Sequence, residues 1–343
     1  MYSKSKSLLV LAAYVAVLST AGCASISQSV SQLVSDPVQT NVLSGREGEN
    51  GPVLVVKIDD TRYARPQVGL EFADVVYIEQ VEGGTTRLAA IYSSTIPARI
   101  GPVRSARISD IELLAQYGHI GFAYSGAQKK LLPVIAAADL SDIGAMRRGP
   151  VFYETDLNRN QPFAMFLNAQ TLMVSEKEKG TVIDSAKNVG WNFSKDLENE
   201  GFEVTDATMY WPAQKYSARW DSTDARWLLS VNSIPNLSDR GINLGPTTLV
   251  IQLVSITPSE YGDKFGGVTP FSQTVGTGKG YVLRDGVVIQ GTWSRLDSLS
   301  PTVWTDTTGA EIKFAPGQVW VALTDKEPDF TRKTASAPTP TSK

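Results

Sequence analysis

The stretch that most constrains this chain runs from Val53 to Asp110, where short apolar runs alternate with glycine turns and carry charge at their ends. Val53–Ile58, Ala73–Val81 and Arg87–Ser93 are β-branched and apolar enough to read as buried strands. Glu82-Gly83-Gly84-Thr85 between the last two suits a hairpin turn. Around the strand ends stand Asp59, Asp60, Glu79 and Glu82, together with Arg65, Arg87, Arg99, Arg104 and Arg107. Burying one ion without a partner costs several kcal/mol. The block is therefore expected to be a packed ion-pair network, a binding site, or both.

Further along, Ser105 is placed to cap a helix through Tyr117, with Ile108, Ile111 and Leu114 or Ala115 on one face. His119–Tyr124 reads as a strand, and Ala127–Ala138 as a helix either bent or started late by Pro133. Residues 139–165 read as loop, and Asn168–Lys179 as a helix ended by Gly180. From Val189 to Trp227 the chain turns polar and aromatic, with four tryptophans expected to pack in the core. Thr247–Thr257 reads as one long strand. Hairpins are expected over Tyr281–Gln290, folding at Asp285-Gly286, and over Glu311–Leu323, folding at Pro316-Gly317. The glycines from Gly276 to Gly280 read as a turn. Hairpins mixed with helices predict an α+β fold: a mixed α+β part over residues 51–195, a β-rich part over 196–328, and a disordered tail over 329–343.

The amino terminus points outside the cytoplasm. Lys4 and Lys6, the apolar run Leu8–Leu18 and Ser19-Thr20-Ala21-Gly22 form a signal-peptide pattern over residues 1–22. The small residues stand immediately before Cys23, the one cysteine of the chain, as in a bacterial lipobox. Cys23 is thus the expected lipidation site and membrane anchor, with residues 23–50 as a flexible tether. A single cysteine excludes an internal disulfide and a thiolate zinc site. The net charge of −3, or −5 once Lys4 and Lys6 are removed, offers no basic excess for nucleic acid. No cofactor motif is present; the glycine run at 276–280 lacks phosphate-loop spacing.

Several blocks resemble the YerB-like family of bacterial lipoproteins, a family of unassigned function. They are Ala64-Arg65-Pro66-Gln67 with Gly69-Leu70, then Ala73-Asp74, Glu79, Glu82-Gly83 and Thr86-Arg87-Leu88-Ala89. Gly101-Pro102-Val103-Arg104-Ser105-Ala106-Arg107 follows in order. A second set comprises Gly278-Lys279-Gly280-Tyr281, Arg284-Asp285-Gly286, Gly291-Thr292-Trp293-Ser294 and Pro316-Gly317 with Trp320-Val321. The resemblance spans residues 50–325 and implies an anchored, extracytoplasmic, two-part α+β protein with no established chemistry. Where family members often carry Pro-His-Asn after an arginine, this chain has Pro162-Phe163-Ala164 after Arg159.

Two functional readings follow from the residues themselves. Guanidinium groups grip carboxylates and phosphates in bidentate fashion. Arg65, Arg87, Arg104 and Arg107, with Ser105 at a helix start and Asp59, Glu79 and Glu82 shaping the site, would bind an anionic wall polymer or an envelope protein. The same arginines serve equally well as internal partners of those acids. The alternative is a metal-independent glycan hydrolase using an Asp/Glu pair from Asp59, Asp60, Glu79 and Glu82. His119, the single histidine, excludes a histidine-based metal site. It is read as a structural hydrogen-bonder, though Ser105 or Ser125 could lie near it.

Overall fold

The computed structural model describes residues 39–263 and 266–334. From Thr40 onward the chain forms one compact unit. Asn41, Leu43 and Ser44 are buried, and Ser44 Oγ donates to Asp74 at 2.7 Å. The folded unit therefore starts earlier than the tether expectation placed it, because residues 40–50 pack under the first strands. Cys23, the signal pattern and residues from 335 on lie outside the described residues. The expected disordered tail over 329–343 is corrected at its start, where Asp329–Arg332 form a strand paired with Phe202–Trp211.

The architecture is α+β, with a mixed N-terminal part and a β-rich C-terminal part. Its frame is a 15-stranded sheet. In chain order the strands are β1 (Leu54–Asp59), β2 (Val75–Gln80), β3 (Thr86–Tyr92), β4 (Ile120–Ala123), β5 (Leu140–Asp142), β6 (Phe202–Trp211), β7 (Gln214–Asp221) and β8 (Arg226–Val231). There follow β9 (Ile234–Pro235), β10 (Thr248–Leu253), β11 (Gly276–Arg284), β12 (Val287–Arg295), β13 (Val303–Asp306), β14 (Val319–Thr324) and β15 (Asp329–Arg332). They run across the sheet as β9-β8-β7-β6-β12-β11-β10-β14-β2-β3-β1-β4-β5, with β13 on β12 and β15 on β6.

Strand β14 lies parallel to both β10 and β2 and joins the two parts into one continuous sheet. Two expectations fail here. Glu311–Leu323 is not a hairpin: Val319–Thr324 is buried throughout and finds its partners in distant strands. Gly276–Gly280 is not a turn but the start of β11, where residues without a Cβ admit Trp293 and Trp304 close to the backbone. The polar, aromatic stretch after residue 200 is a three-stranded meander, β6 to β8, whose buried residues largely alternate with exposed or half-exposed ones, as in a sheet with one open face. Trp191, Trp211 and Trp227 are buried, and Trp220 packs on Trp227 at 5.2 Å.

β1, β2 and β3 are covered on both faces. Leu54, Val56, Ile58, Val76, Ile78, Leu88 and Ala90 enter one core cluster. Val53, Val55, Val75, Tyr77, Ala89 and Ile91 enter the other. Each fully buried aliphatic side chain contributes about 1.5–3 kcal/mol relative to exposure. Because the side-chain period of a strand is two, Lys57, Asp59, Glu79 and Arg87 fall on the second face. They are also neighbours across strands, since Asp59 and Glu79 both stand opposite Arg87.

Among the described residues four short α-helices flank the sheet: α1 (Ser109–Leu114), α2 (Leu132–Ala137), α3 (Ala145–Arg148) and α4 (Ala169–Glu178). Pro133 sits in the first turn of α2, and Gly180, with φ of 72°, follows α4. α1 is shorter than the sequence predicts. Ser105 lies four residues before its start, because residues 104–106 are extended: Arg104 N donates to Lys57 O, Ala106 N to Gly126 O, and Ser125 N to Arg104 O. In place of one long strand after Thr247, the chain leaves β10 and forms a hairpin, Ile256–Gly262 with Val268–Ser272. This hairpin returns to α1 through Ser272 N, which donates to Ser109 Oγ at 3.0 Å. A small three-stranded sheet of Arg99–Ile100, Met165–Asn168 and Tyr153–Thr155 stands apart from the large one.

Candidate functional site

At the end of β1 and β3 the charged ends of the strands open into a cleft of about 740 Å³. Asp59, Glu82, Arg87, Arg104, Ser105 and Arg107 line it, with Lys129, Lys130 and Gln128 on one rim and Gly262 and Asp263 of the C-terminal hairpin on another. Three sequence blocks far apart in the chain thus meet here. The sheet supplies the floor, the extended run 104–107 one wall, and the hairpin the opposite wall. Glu82 accepts from the Thr269 hydroxyl, and Gly262 N donates to Gln128 Oε1 at 3.2 Å, which fastens that last wall.

The ion pairs are graded. Arg107 sends Nε and Nη2 to one oxygen of Glu82 at 2.9 and 2.7 Å, and Nη1 to its neighbour's carbonyl, so its donors are largely spent. Arg104 donates only Nε, to Asp59 at 2.6 Å, and neither of its terminal amino groups has an acceptor among the described residues. Arg87 is the exception. It is only 7% exposed, yet no carboxylate is in contact with it. Its Nη1 donates to Ser105 O at 2.9 Å, while its Nε has no hydrogen-bond partner at all. Burial first, and the charge of Arg107 next, push its pKa down to about 9. Lys129 and Lys130 are exposed and make no ion pair among the described residues.

The acids are held as acceptors. Asp59 takes hydrogen bonds from Thr61 N at 2.8 Å, from Thr61 Oγ1 at 2.6 Å, and from Arg104. Burial raises the pKa of the Glu82 carboxyl, but the hydrogen bonds and charge of Arg107, helped by Thr269, win and hold it below the usual carboxylate range.

Two residues expected in this site lie elsewhere. Glu79 is fully buried one layer deeper, against Lys57, which also pairs with Asp110 at 2.7 Å. Three residues before Glu82 on a regular strand, its side chain goes into the core while Glu82, in the following turn, reaches the cleft. Arg65 follows Asp60 rather than Asp59, hence the other face of the sheet, where its Nη2 donates to Asp60 Oδ1 at 2.7 Å. Asp60 is saturated: Thr86, Gln214 at 2.7 Å and Tyr216 at 2.7 Å also donate to it, fastening the meander to β1 and β3. Arg99 pairs with Glu154 on the small sheet and with Asp156 just beyond it. The expected anion site at a helix start is overturned too. α1 begins at Ser109, and Asp110 Oδ2 already accepts the Arg107 N–H at 2.6 Å.

His119 meets neither Ser105 nor Ser125. Its Nδ1 lies 2.5 Å from Asp139 and its Nε2 3.2 Å from Ser141 Oγ. The Ser141 hydroxyl donates to Val182 O at 2.7 Å, so its proton points away from the imidazole. Asp139 is 74% exposed at its side chain. An activated nucleophile needs the opposite proton direction and a sheltered orienting acid.

A second cavity of about 350 Å³ is lined by Tyr63, Arg65, Pro66, Asn158, Arg159, Asn160 and Phe163. Phe163, at the position of the departure noted above, stacks on Tyr63 at 5.7 Å, and the Arg104 guanidinium lies 5.9 Å from its ring.

Residues 40–182 match the N-terminal domain, and residues 206–321 the C-terminal domain, of a family described as protein of unknown function DUF3048. The "Putative lipoprotein YerB" of Bacillus subtilis (strain 168) is 26% identical over 298 residues, 80% of this chain and 81% of that protein. The chain belongs to the YerB-like family. The crystal structure of the YerB protein from Bacillus subtilis superposes with a TM-score of 0.72, covering 86% of this chain and all of that one at 20% identity, so the fold is shared. The family's two matched domains are bridged in this YerB-like chain by β14 and by Asp60.

Proposed function

We propose that this YerB-like chain is a lipid-anchored, extracytoplasmic protein whose cleft binds an anionic component of the cell envelope. Arg87 carries the reading. A nearly buried guanidinium without a contacting carboxylate is costly to the fold, and an anion entering the cleft would relieve that cost. Arg104's two unspent amino groups, the Ser105 hydroxyl and the two rim lysines point to the same chemistry, a phosphate or carboxylate gripped by several donors. The lipobox at Cys23 and the lipoprotein relative support the anchor. No helix among the described residues is long and apolar enough to cross a membrane.

The glycan-hydrolase alternative draws less support. A general acid needs a raised pKa, and Glu82 is held low, while Asp59 is occupied by three donors. The test titrates inorganic phosphate into the purified full chain and into Arg87→Gln by calorimetry. Saturable binding weakened at least tenfold in the variant, with cooperative unfolding retained, supports the site. Equal binding, or none in either protein, overturns it. Fatty-acid labelling of the wild type but not of Cys23→Ala checks the anchor.

A further inference from the structure

The second cavity has the composition of a sugar site, and Arg104 of the anion cleft reaches the Phe163 ring in its lining. Tyr63 is 72% exposed although it stacks on Phe163, so the pair offers a flat apolar ledge to solvent. Pyranose rings present a face of C–H groups that packs on such a ring. Asn158 and Asn160 are exposed at the same cavity, and their side-chain amides make no hydrogen bond among the described residues. Free primary amides suit neighbouring sugar hydroxyls, since each supplies both a donor and an acceptor. Arg159 walls the cavity rigidly, with Nη1 and Nη2 fixed on Ala64 O at 2.9 Å and Pro66 O at 2.7 Å. The Nε of Arg65, buried at this cavity, has no partner. Arg104 spans the two sites: it lines the cleft and reaches the Phe163 ring. Both volumes lie within the roughly 300–1,000 Å³ of ordinary ligand sites.

We propose that the two cavities form one binding track for an anionic glycan. One sugar ring rests on Tyr63 and Phe163 and meets Asn158 and Asn160, while the adjoining anionic group passes Arg104 to reach Arg87, Ser105 and Lys129. The inference rests on the anion-binding reading above and extends it from a single charge to a chain of at least two units. The anion is a phosphodiester or a uronate carboxylate, the two sources sharing one chemistry.

The test measures affinity of the full chain for inorganic phosphate, glucose 1-phosphate, a phosphodiester-linked glucose tetramer, a hyaluronan tetrasaccharide and neutral cellotetraose. One charged tetramer is expected to bind at least tenfold tighter than glucose 1-phosphate, with cellotetraose far weaker, and that tetramer names the source of the anion. Tyr63→Ala with Asn160→Ala, both at exposed positions, is expected to remove this gain and leave phosphate affinity unchanged. Two results overturn the track while the cleft stands: phosphate binds, but neither tetramer gains, or the gain survives in the double variant. Absence of Arg87-dependent binding for every probe overturns the anion reading and the track together.

Discussion

Two charge clusters sit on one face of the same three strands, and they are built in opposite ways. Lys57, Glu79 and Asp110 are sealed at 0% exposure, each carboxylate placed against the one ammonium. Arg87, Arg104 and Arg107, one strand position further on, face an open cleft with donors left over. In the sealed trio the charges face one another away from solvent, so it has nothing to offer a ligand and serves to set how α1 docks on the sheet. In the open cluster one guanidinium is desolvated without being neutralised. Charge at strand ends is common to both. What separates network from site is unspent hydrogen-bonding capacity next to solvent.

The largest expected effect tests the sealed side. Lys57→Met strands two buried carboxylates and should cost about 3–5 kcal/mol, read as a large fall in Tm. A Tm near that of the wild type would mean the trio is not a structural keystone. Next, Arg104→Ala with Arg107→Ala should abolish phosphate binding while unfolding stays cooperative. Its stability cost should be about 1–3 kcal/mol, because Asp59 keeps the Thr61 N–H and hydroxyl and Glu82 keeps the Thr269 hydroxyl. Loss of cooperative folding would move the open cluster into the same category as the sealed one.

Arg87→Met sharpens the contrast further. A desolvated charge is replaced by an apolar side chain of similar length, so stability should hold or rise by about 1 kcal/mol while phosphate affinity falls at least tenfold. A fall in Tm of the size seen for Lys57→Met would make Arg87 a fold residue. The smallest effect concerns Glu82→Gln. The wild-type carboxyl is held below its usual value, so its ionised form supports the fold above the ordinary carboxylate range. That support is lost as pH falls through the lowered folded value. The variant should flatten this part of the acid limb in pH-dependent melting. It should also free Arg107, raising phosphate affinity a few-fold; weaker binding would show that Glu82 positions the guanidinium instead.

Much of this was legible along the chain. β-branched runs and paired glycines marked β1, β2, β3 and the Asp285-Gly286 hairpin, because those signals are local. Five of the residues named in advance with Ser105, namely Asp59, Glu82, Arg87, Arg104 and Arg107, do meet at one cleft, since period-two alternation and short turns carry them to one edge. Glu79 and Arg65 went astray for a reason of parity: a shift of one position on a strand sends a side chain to the other face or the next layer. The meander β6–β8 was missed because its turns place Ala225, Asn232 and Ser233 rather than glycine at positive φ, and the length of α1 because residues 104–106 are held by distant Lys57 and Gly126. The sugar-facing ledge was missed because Tyr63 and Phe163 are a hundred residues apart.

By itself, then, the sequence determined the class of fold, the family and the neighbourhood of the charged site, all properties that rest on local pattern. Only the tertiary structure decided which charges are neutralised. That depends on depth: the same arginine or carboxylate is a buttress when packing brings it an opposite charge, and a ligand contact when packing brings it water.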